Sequence, residues 1–286
     1  MKLIADSSST KTEWCLVEGI YVIEHALTEG MNPFFQKRRE ISRCIRLQLP
    51  EIFFKKKIDQ IYYYGAGCSS EEKRSVLRGS LLSQFRSPTE VESDLLGAAR
   101  ALFLEEPGIA CILGTGSNSC FYDGSHIVKN VKSLGYVLGD EGSGSALGRM
   151  FLSDYLRNLA PSDIAQGFSD QYGIGHDEIL NSIYSNPFPN RFMAACSSFL
   201  IDFIDTDYVQ TILTRNFKGY FTRNILQYDH KNYPIRFVGS MAFKYADVLR
   251  KVAQGFDIEI DRIEATSIAG LVEYHTKHCR LETLSK

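Results

Sequence analysis

The order of the predicted elements repeats once along the chain, and this repeat restricts the folds that the chain can adopt. Apolar runs predict three successive strands, over residues 2–6, 12–18 and 20–28. Helix, strand, helix, strand and helix follow, up to Pro107. Three more strands then begin a second copy, which strand, helix, strand and helix complete after residue 235.

Almost no residue-level similarity joins the two copies, so the repeat is one of element order. This order occurs in the superfamily of actin, Hsp70 and the sugar kinases, where two ribonuclease-H-like domains face a nucleotide cleft. We therefore predict an α/β fold of the actin-like ATPase type, with domains at 1–106 and 107–271 and a helical insert at about 141–230 in the second. The C-terminal helix, about 272–286, is expected to pack back on the first domain.

Each copy has a short polar turn between its first two strands. The first is DSSSTKTE, residues 6–13, and the second is GTGSNS, residues 114–119. Successive backbone N–H groups in a tight turn form a concave anion site, so both turns are predicted to contact the phosphates of ATP. The contacting residues are expected to be Ser9, Thr10 and Lys11 in the first turn, and Thr115, Gly116 and Ser117 in the second.

Asp6, at the end of the first strand, is predicted to hold Mg²⁺ largely through water, as this strongly hydrated ion prefers. Taken alone, each polar turn also fits an ordinary hairpin. Their corresponding positions in the two copies favour phosphate binding. The chain has no G-x-x-x-x-G-K-[ST] segment, which excludes a P-loop nucleotide site.

Asp94 is the candidate catalytic base. Phosphoryl transfer needs a carboxylate that accepts the proton of the attacking hydroxyl. Asp94 ends a predicted strand directly before a helix, at the sheet edge where α/β folds bind ligands. The competing interpretation is a helix N-cap, which the Ser93–Asp94 pair also fits.

Two further polar segments are candidates for binding a sugar. Asp140 and Glu141 form a glycine-flanked acidic pair that could accept hydrogen bonds from sugar hydroxyls, although a plain helix start fits them as well. Asn32 follows the third strand, where its side chain could point into the cleft.

The composition excludes several other classes of protein. A net charge of −2 over 286 residues gives no reason to expect nucleic acid or an anionic membrane as partner. No apolar run approaches the length of a membrane span, and the N-terminus lacks the pattern of a signal peptide. The seven cysteines are scattered and form no C-x-x-C pair, which argues against a zinc ribbon and favours a reducing cytoplasm. His275 and His278, one turn apart on a terminal helix, are predicted to be surface residues.

Six segments of the chain resemble the BadF/BadG-type ATPase family, specifically its N-acetylglucosamine-kinase-like branch. They are ADSSSTKTEW, GMNPF, VESDLLGAARAL, CILGTGSNS, LGYVLGDEGSGSALG and FVGSMAF, in that order. The resemblance covers essentially the whole chain, and GTGSNS followed by GDEGS is its most specific part. It implies a kinase that transfers phosphate from Mg²⁺-ATP to N-acetylglucosamine or a related amino sugar, and it allows a homodimer.

The resemblance also implies a role for individual residues. Asp6, Thr10 and Thr115 match ATP contacts, and Asp94 matches the proposed base. The residues that match the sugar site are Asn32, Gly135, Tyr136 and Asp140. Gly239 and Ser240 match the adenosine-binding segment. The small residues Gly97, Ala98, Ala269 and Gly270 match helices that cross between the domains and act as a hinge.

The chain departs from the family pattern at Ser7 and Ser8, where glycines are usual. Either the geometry of the first turn differs, or the serine hydroxyls add hydrogen-bonding groups. A catalytically weak sugar or nucleotide sensor is therefore one alternative function. An activator ATPase of an electron-transfer enzyme is another, since such proteins share an iron–sulfur cluster through cysteines just past the second turn, near the position of Cys120.

Overall fold

The computed structural model describes residues 1–284, with side chains described to residue 277. The chain divides into two compact units, each containing most of one five-stranded sheet. Unit one comprises Met1–Ala110, Tyr122–Val128 and the chain from Thr266 onward, and unit two comprises Cys111–Phe121 and Lys129–Ala265.

The sheet of unit one has the strand order β3-β2-β1-β4-β5. Strands β1, β2 and β3 form an antiparallel meander, and β1, β4 and β5 run parallel. Its elements are β1 (Lys2–Ser7), β2 (Lys11–Glu18), β3 (Tyr21–Glu29), α1 (Arg38–Gln48), α2 (Ile52–Lys55), β4 (Gln60–Gly65), α3 (Glu71–Phe85), β5 (Thr89–Ser93) and α4 (Asp94–Phe103).

The second sheet has the order β10-β9-β6-β7-β8, which repeats the arrangement of the first. Its strands are β6 (Gly108–Leu113), β7 (Ser117–Tyr122), β8 (Ile127–Val131), β9 (Ile235–Val238) and β10 (Ile260–Glu264). The helices that follow β8 are α5 (Gly135–Leu138), α6 (Gly144–Tyr155), α7 (Ser162–Tyr172), α8 (His176–Tyr184), α9 (Pro189–Ser198), α10 (Asp207–Arg223), α11 (Ser240–Lys244), α12 (Ala246–Gln254) and α13 (Ile268–Leu284). Two short 3₁₀ segments, Phe199–Phe203 and Ile225–Gln227, flank α10.

Helical spacing of apolar residues predicts one helix over residues 34–53 and another over residues 241–256. The elements follow the predicted order, but both of these helices are shorter than the sequence pattern suggests. The helix expected at 34–53 begins at Arg38 and stops at Gln48, since Pro50 disfavours helical backbone in the residue before it. The helix expected at 241–256 is interrupted at Tyr245, whose backbone leaves the helical region (φ −113°, ψ 31°). The ring of Tyr245 is buried, and its hydroxyl donates a hydrogen bond to the carbonyl of Ser197.

Side chains from both faces of the first sheet are buried. Leu3, Ala5, Trp14 and Tyr63 belong to the cluster under α1 and α3. On the other face Ile4, Cys15, Val17 and Tyr64 pack with residues of α4 and α13. The run YYY at 62–64 therefore contributes to both faces, as its alternation predicts, and Trp14 is a core residue.

Helix α13 packs on α4, β1 and β2 within unit one. The crossing of α4 and α13 is close at Gly270, where a Cβ atom would lie only 2.2 Å from the carbonyl oxygen of Ala101. Helices α4 and α13, which contain the small residues that match the family's hinge, thus both belong to unit one. Their action as a hinge stays a prediction.

His275 is not the surface residue that its position on a terminal helix suggested. Its ring stacks on Tyr62 with a centroid separation of 3.7 Å, and Nε2 lies 2.8 Å from the hydroxyl of Tyr64. Arg100 donates to the same hydroxyl oxygen at 2.7 Å, so the Tyr64 proton is directed to Nε2, which must then be unprotonated. Burial, followed by the charges of Arg100, Lys2 and Lys277, lowers the pKa of His275 to about 3. His278 lies outside the described side chains.

The neutral state of His275 makes the stability of unit one dependent on pH. Because the pKa of His275 is lower in the folded than in the unfolded chain, the unfolded chain binds the proton first as the pH falls below about 6.5. We predict that lowering the pH from about 7 to about 5.5 reduces the free energy of unfolding by about 1 kcal/mol more in the wild type than in His275→Gln. Glutamine keeps an acceptor for Tyr64 and does not titrate. Urea denaturation of both proteins at the two pH values measures the difference, and equal pH dependences would contradict the assignment.

Among the described residues, no helix is both long enough and apolar enough to cross a membrane.

Candidate functional site

The ends of three parallel strands bring the polar candidates of unit one to one edge of the first sheet. Ser7 is in register with Gly65, and Gly65 is in register with Ser93. Asp6 therefore immediately precedes this edge on β1, and Asp94 immediately follows it on β5. This is the edge at which parallel α/β sheets bind ligands.

Asp94 is not needed as the cap of its helix. Ser93 is the N-cap of α4, and its hydroxyl accepts the amide hydrogen of Leu96. The Asp94 carboxylate accepts a hydrogen bond from the amide of the adjacent Leu95 at 2.9 Å. Burial raises the pKa of the Asp94 carboxyl to about 6, and backbone hydrogen bonds oppose the rise. A carboxylate in this state can accept a proton near neutral pH.

Asp6 faces two other carboxylates. Burial raises its pKa to about 7, and the charges of Asp94 and Glu13 add to this rise, while Ser267 opposes it. Glu13 pairs with Asp6 across the β1–β2 hairpin, and its side chain is only 8% exposed. Glu13 was not among the predicted site residues, although the symmetry of the hairpin about Ser9 and Thr10 places it opposite Asp6. Its carboxylate forms an ion pair with Lys11.

These carboxylates fit a hydrated divalent cation. Repulsion among Asp6, Glu13 and Asp94 would be relieved by a positive charge near them. Over the described part of the chain, no three His, Cys, Asp or Glu side chains come close enough to chelate a bare metal ion. Asp6 is thus suited to hold Mg²⁺ through water, with few direct protein ligands.

The first polar turn, Ser8–Lys11, adopts a compact conformation without glycine. No residue from Ser7 to Lys11 has a positive φ. Ser8 closes the turn, because its amide donates to the carbonyl of Lys11 at 2.9 Å. The outer side of the turn is pressed against Gly30, whose amide donates to the carbonyl of Thr10 at 3.0 Å.

Gly30 is required by this close approach. A Cβ atom at Gly30 would lie 2.5 Å from the carbonyl oxygen of Ser8 and 2.6 Å from that of Ser9. The carbonyl groups of the turn therefore face Gly30, and the N–H groups of the same peptide units point to the opposite side of the turn.

Ser7 connects the end of β1 to the loop that carries Asn32. The Ser7 side chain is fully buried. Its hydroxyl lies 2.7 Å from that of Thr12, and it also hydrogen-bonds the amide of Met31 at 3.2 Å. A glycine here would lose both contacts, so the serine has a structural role of its own.

Asn32 is 9% exposed, and its Oδ1 atom accepts the amide hydrogen of Phe34. Asn32 also lies against the loop after β4, since a Cβ atom at Gly67 would be 2.3 Å from its Oδ1. Burial raises the pKa of the thiol of Cys68, the next residue, to about 12, and the charge of Asp94 adds to this rise, so Cys68 lies near Asp94. Asn32 thus belongs to the same sheet edge as Asp94.

The second polar turn, Gly114–Gly116, is held by the start of α6. The amide of Gly144 donates to the carbonyl of Gly114 at 2.8 Å, and the amide of Ser145 donates to the carbonyl of Thr115 at 3.1 Å. Within residues 1–284, the amides of Thr115 and Gly116 donate no hydrogen bond. As in the first turn, the carbonyl groups are engaged and N–H groups remain for an anion.

Asp140 is also bound to this second turn. Its Oδ1 atom accepts hydrogen bonds from the amide of Ser117 and the hydroxyl of Ser133, each at 3.2 Å. Its backbone has a φ of 58°, a conformation uncommon for a non-glycine residue. Burial raises the pKa of the Asp140 carboxyl. The predicted sugar residue Asp140 therefore also fixes the predicted phosphate turn.

Gly239, at the end of β9, meets the same turn from another side. Its φ is 122°, and a Cβ atom there would lie 2.3 Å from the carbonyl oxygen of Leu113. Ser240 begins α11 and is exposed. The segments GTGSNS, GDEGS and VGS, which are far apart in the sequence, are thus joined around Gly114.

Gly135 and Tyr136 precede Asp140 in the chain. Both belong to α5, whose last turn Arg149 holds by donating to the carbonyls of Tyr136 and Val137. Tyr136 lines a groove of about 510 Å³ among α5, α6 and α8, and neither Gly135 nor Asp140 lines it. Of the predicted sugar residues in unit two, Asp140 is the one for which the described residues show a hydrogen bond to the second turn.

The surroundings of Cys120 are not those of an iron–sulfur cluster ligand. It is fully buried in β7, near the buried Cys111. A cluster shared between two chains needs cysteines at the surface of each. The position of Cys120 thus gives no support to an iron–sulfur activator.

The structure is similar to known sugar kinases over its whole length. It superimposes on a proposed N-acetylglucosamine kinase from Porphyromonas gingivalis with a TM-score of 0.92 and 41% sequence identity, covering 97% of this chain and 99% of that one. A second proposed N-acetylglucosamine kinase, from Chromobacterium violaceum, gives a TM-score of 0.72 at 18% identity over 96% and 98% of the two chains. No protein-family model and no curated protein sequence matches the chain.

A glucokinase of the ROK family from Streptomyces griseus, solved with glucose and AMPPNP, has a TM-score of 0.62 at 15% identity, over 98% of this chain and 99% of that one. The fold is therefore that of the sugar kinases with two actin-like ATPase domains, as predicted. Because the relative from Porphyromonas gingivalis matches across almost its full length, the chain belongs to the N-acetylglucosamine-kinase-like branch of the BadF/BadG-type family. It is a sugar kinase.

Proposed function

We propose that this sugar kinase transfers the γ-phosphoryl group of Mg²⁺-ATP to N-acetylglucosamine or a closely related amino sugar. The observation that carries the proposal is the match, at 41% identity over 97% of the chain, to a proposed N-acetylglucosamine kinase. The AMPPNP bound to the glucokinase from Streptomyces griseus supports ATP as the donor.

Asp94 is the proposed base. With a pKa near 6 it is largely ionised at neutral pH, and no helix cap is lost when it binds a substrate, because Ser93 fills that role. Asp94 takes the proton of the attacking sugar hydroxyl, the sugar oxygen bonds to the γ-phosphorus, and the bond to the bridging oxygen of ADP breaks. Asn32, on the same sheet edge, orients the sugar.

The proposed ATP contacts are backbone amides in both turns and the side chain of Lys11. Free amides at Ser9, Thr115 and Gly116 would donate to phosphate oxygens. Lys11, half exposed beside Glu13, adds positive charge. Gly239 and Ser240, which follow β9, would contact the adenosine. Mg²⁺, held through water by Asp6, supplies charge neutralisation at the phosphates. A cytoplasmic location and a homodimer stay predictions.

A sugar panel tests the proposed substrate. ADP release is measured by a coupled assay with N-acetylglucosamine, N-acetylmannosamine, glucosamine and glucose, and without sugar. We expect kcat/KM to be highest for an N-acetylated amino sugar, at least about tenfold above glucose, since a site built for one polar group discriminates against an analogue that lacks it. ADP release that no sugar raises above basal hydrolysis would refute the kinase proposal, and a preference for glucose would refute the amino-sugar specificity.

Asp94→Asn tests the base. Asparagine keeps the size of the side chain and leaves the Ser93 cap in place but cannot accept the proton, so kcat should fall by about 100-fold or more. The Kd for AMPPNP, measured calorimetrically, should change less than about threefold. The matched control is Asp177→Asn, an exposed aspartate at the start of α8, which should keep wild-type turnover. Unchanged turnover in Asp94→Asn would show that another group is the base.

A further inference from the structure

The side chain of Ser8 occupies the amide donors of the first turn. Its Oγ atom accepts hydrogen bonds from the amides of both Thr10 and Lys11, each at 3.3 Å. The hydroxyl in turn donates to the carbonyl of Lys11 at 3.1 Å. Thr10 and Lys11 are two of the three first-turn residues predicted to contact phosphate, and their amides are thus bound to a neutral oxygen of the turn itself.

The second turn has no such internal ligand in the described part of the chain. The amides of Thr115 and Gly116 donate to nothing, and the residue that begins the turn is Gly114, which has no side chain to fold back. The two turns are alike in another respect, because a neighbouring segment contacts the carbonyl groups of each: Gly30 in the first turn, and Gly144 and Ser145 in the second. Ser8 is therefore the feature that distinguishes the first from the second.

The backbone of the first turn does not require a serine at position 8. All residues from Ser7 to Lys11 have negative φ, so alanine or glycine fits the same backbone. Ser8 is also exposed, unlike the buried Ser7, so removing its hydroxyl opens no cavity. The effect of the Ser8 hydroxyl on the turn is thus separable from the fold.

We propose that the Ser8 hydroxyl is a built-in competitor of the nucleotide phosphates and sets the affinity for ATP; this inference rests on the proposed ATP-dependent kinase function. Bonds of 3.3 Å lie beyond the usual range for N–H···O contacts, so they are weak. Charged phosphate oxygens form stronger bonds to the same amides and displace the hydroxyl, which turns to water. The internal bonds stabilise the nucleotide-free protein, so the wild type binds nucleotide more weakly than a protein without the Ser8 hydroxyl would.

Ser8→Ala, Ser8→Gly and Ser8→Thr separate the hydroxyl from the backbone. Calorimetry with Mg²⁺-AMPPNP, Mg²⁺-ADP and AMP gives the Kd values. We expect Ser8→Ala to bind AMPPNP and ADP about three- to tenfold more tightly than the wild type, as expected for the loss of two weak competing hydrogen bonds. Ser8→Thr keeps the hydroxyl and should bind as the wild type does. Ser8→Gly should bind no more tightly than Ser8→Ala, because glycine adds only backbone freedom.

AMP provides the control within each variant. It lacks the β- and γ-phosphates that the turn would hold, so its Kd should be the same in all four proteins. Steady-state kinetics should show a lower KM for ATP in Ser8→Ala, a gain that damage to the fold does not produce.

An unchanged Kd for AMPPNP in Ser8→Ala would overturn the inference. Weaker binding would also overturn it, since the hydroxyl would then be a phosphate ligand. If the wild type binds neither AMPPNP nor ADP, the proposed function itself fails; binding that Ser8→Ala leaves unaltered refutes only the role of Ser8.

Discussion

The geometry of both candidate phosphate turns depends on what lies behind them. In the first turn, the carbonyl groups of Ser8 and Ser9 abut Gly30, too closely for any side chain to fit between them. In the second, the carbonyl groups of Gly114 and Thr115 accept hydrogen bonds from the amides of Gly144 and Ser145. Each peptide unit has its carbonyl and its N–H on opposite sides, so fixing the carbonyls directs the amides outward. Two unrelated contacts therefore both orient the N–H groups of a turn outward.

The edge of the first sheet carries the proposed catalytic base, Asp94. Ser93 caps α4, so the Asp94 carboxylate is not needed as the cap, and burial raises its pKa to about 6. Ser7 ties the end of β1 to the loop of Asn32. The two consecutive serines that depart from the family pattern thus have different roles: Ser7 fixes the loop that carries Asn32, and Ser8 accepts hydrogen bonds from two amides of the turn.

Much of this could be predicted from the sequence, because strands and turns are specified locally. The repeated element order predicts both sheets, and the segment SSEE at 69–72, serines followed by glutamates, predicts a serine cap, which is Ser70 at the start of α3. Tertiary contacts could not be predicted in this way, because they join residues that are far apart in the sequence. Nothing local shows that Tyr245 breaks a helix to bury its ring, or that His275 stacks on Tyr62.

The candidate site shows the same limit. Asp6, Asn32 and Asp94 were identified because each lies at the end of a strand, which the sequence pattern locates. Glu13 was missed, since its burial depends on its neighbours across the hairpin and beyond it. The contact of Asp140 with Ser117 joins residues on separate elements, so its part in holding the second turn emerged only from the structure.

The most direct test of this account is to observe the turn amides when nucleotide binds. In a ¹⁵N–¹H correlation spectrum of the deuterated protein, Mg²⁺-AMPPNP should shift the amide resonances of Ser9, Thr10, Thr115 and Gly116 more than those of the groove beside α8. Amides that form new bonds to phosphate should move downfield. If these four resonances stay in place while the nucleotide binds, the turns are not the phosphate sites and the account is wrong.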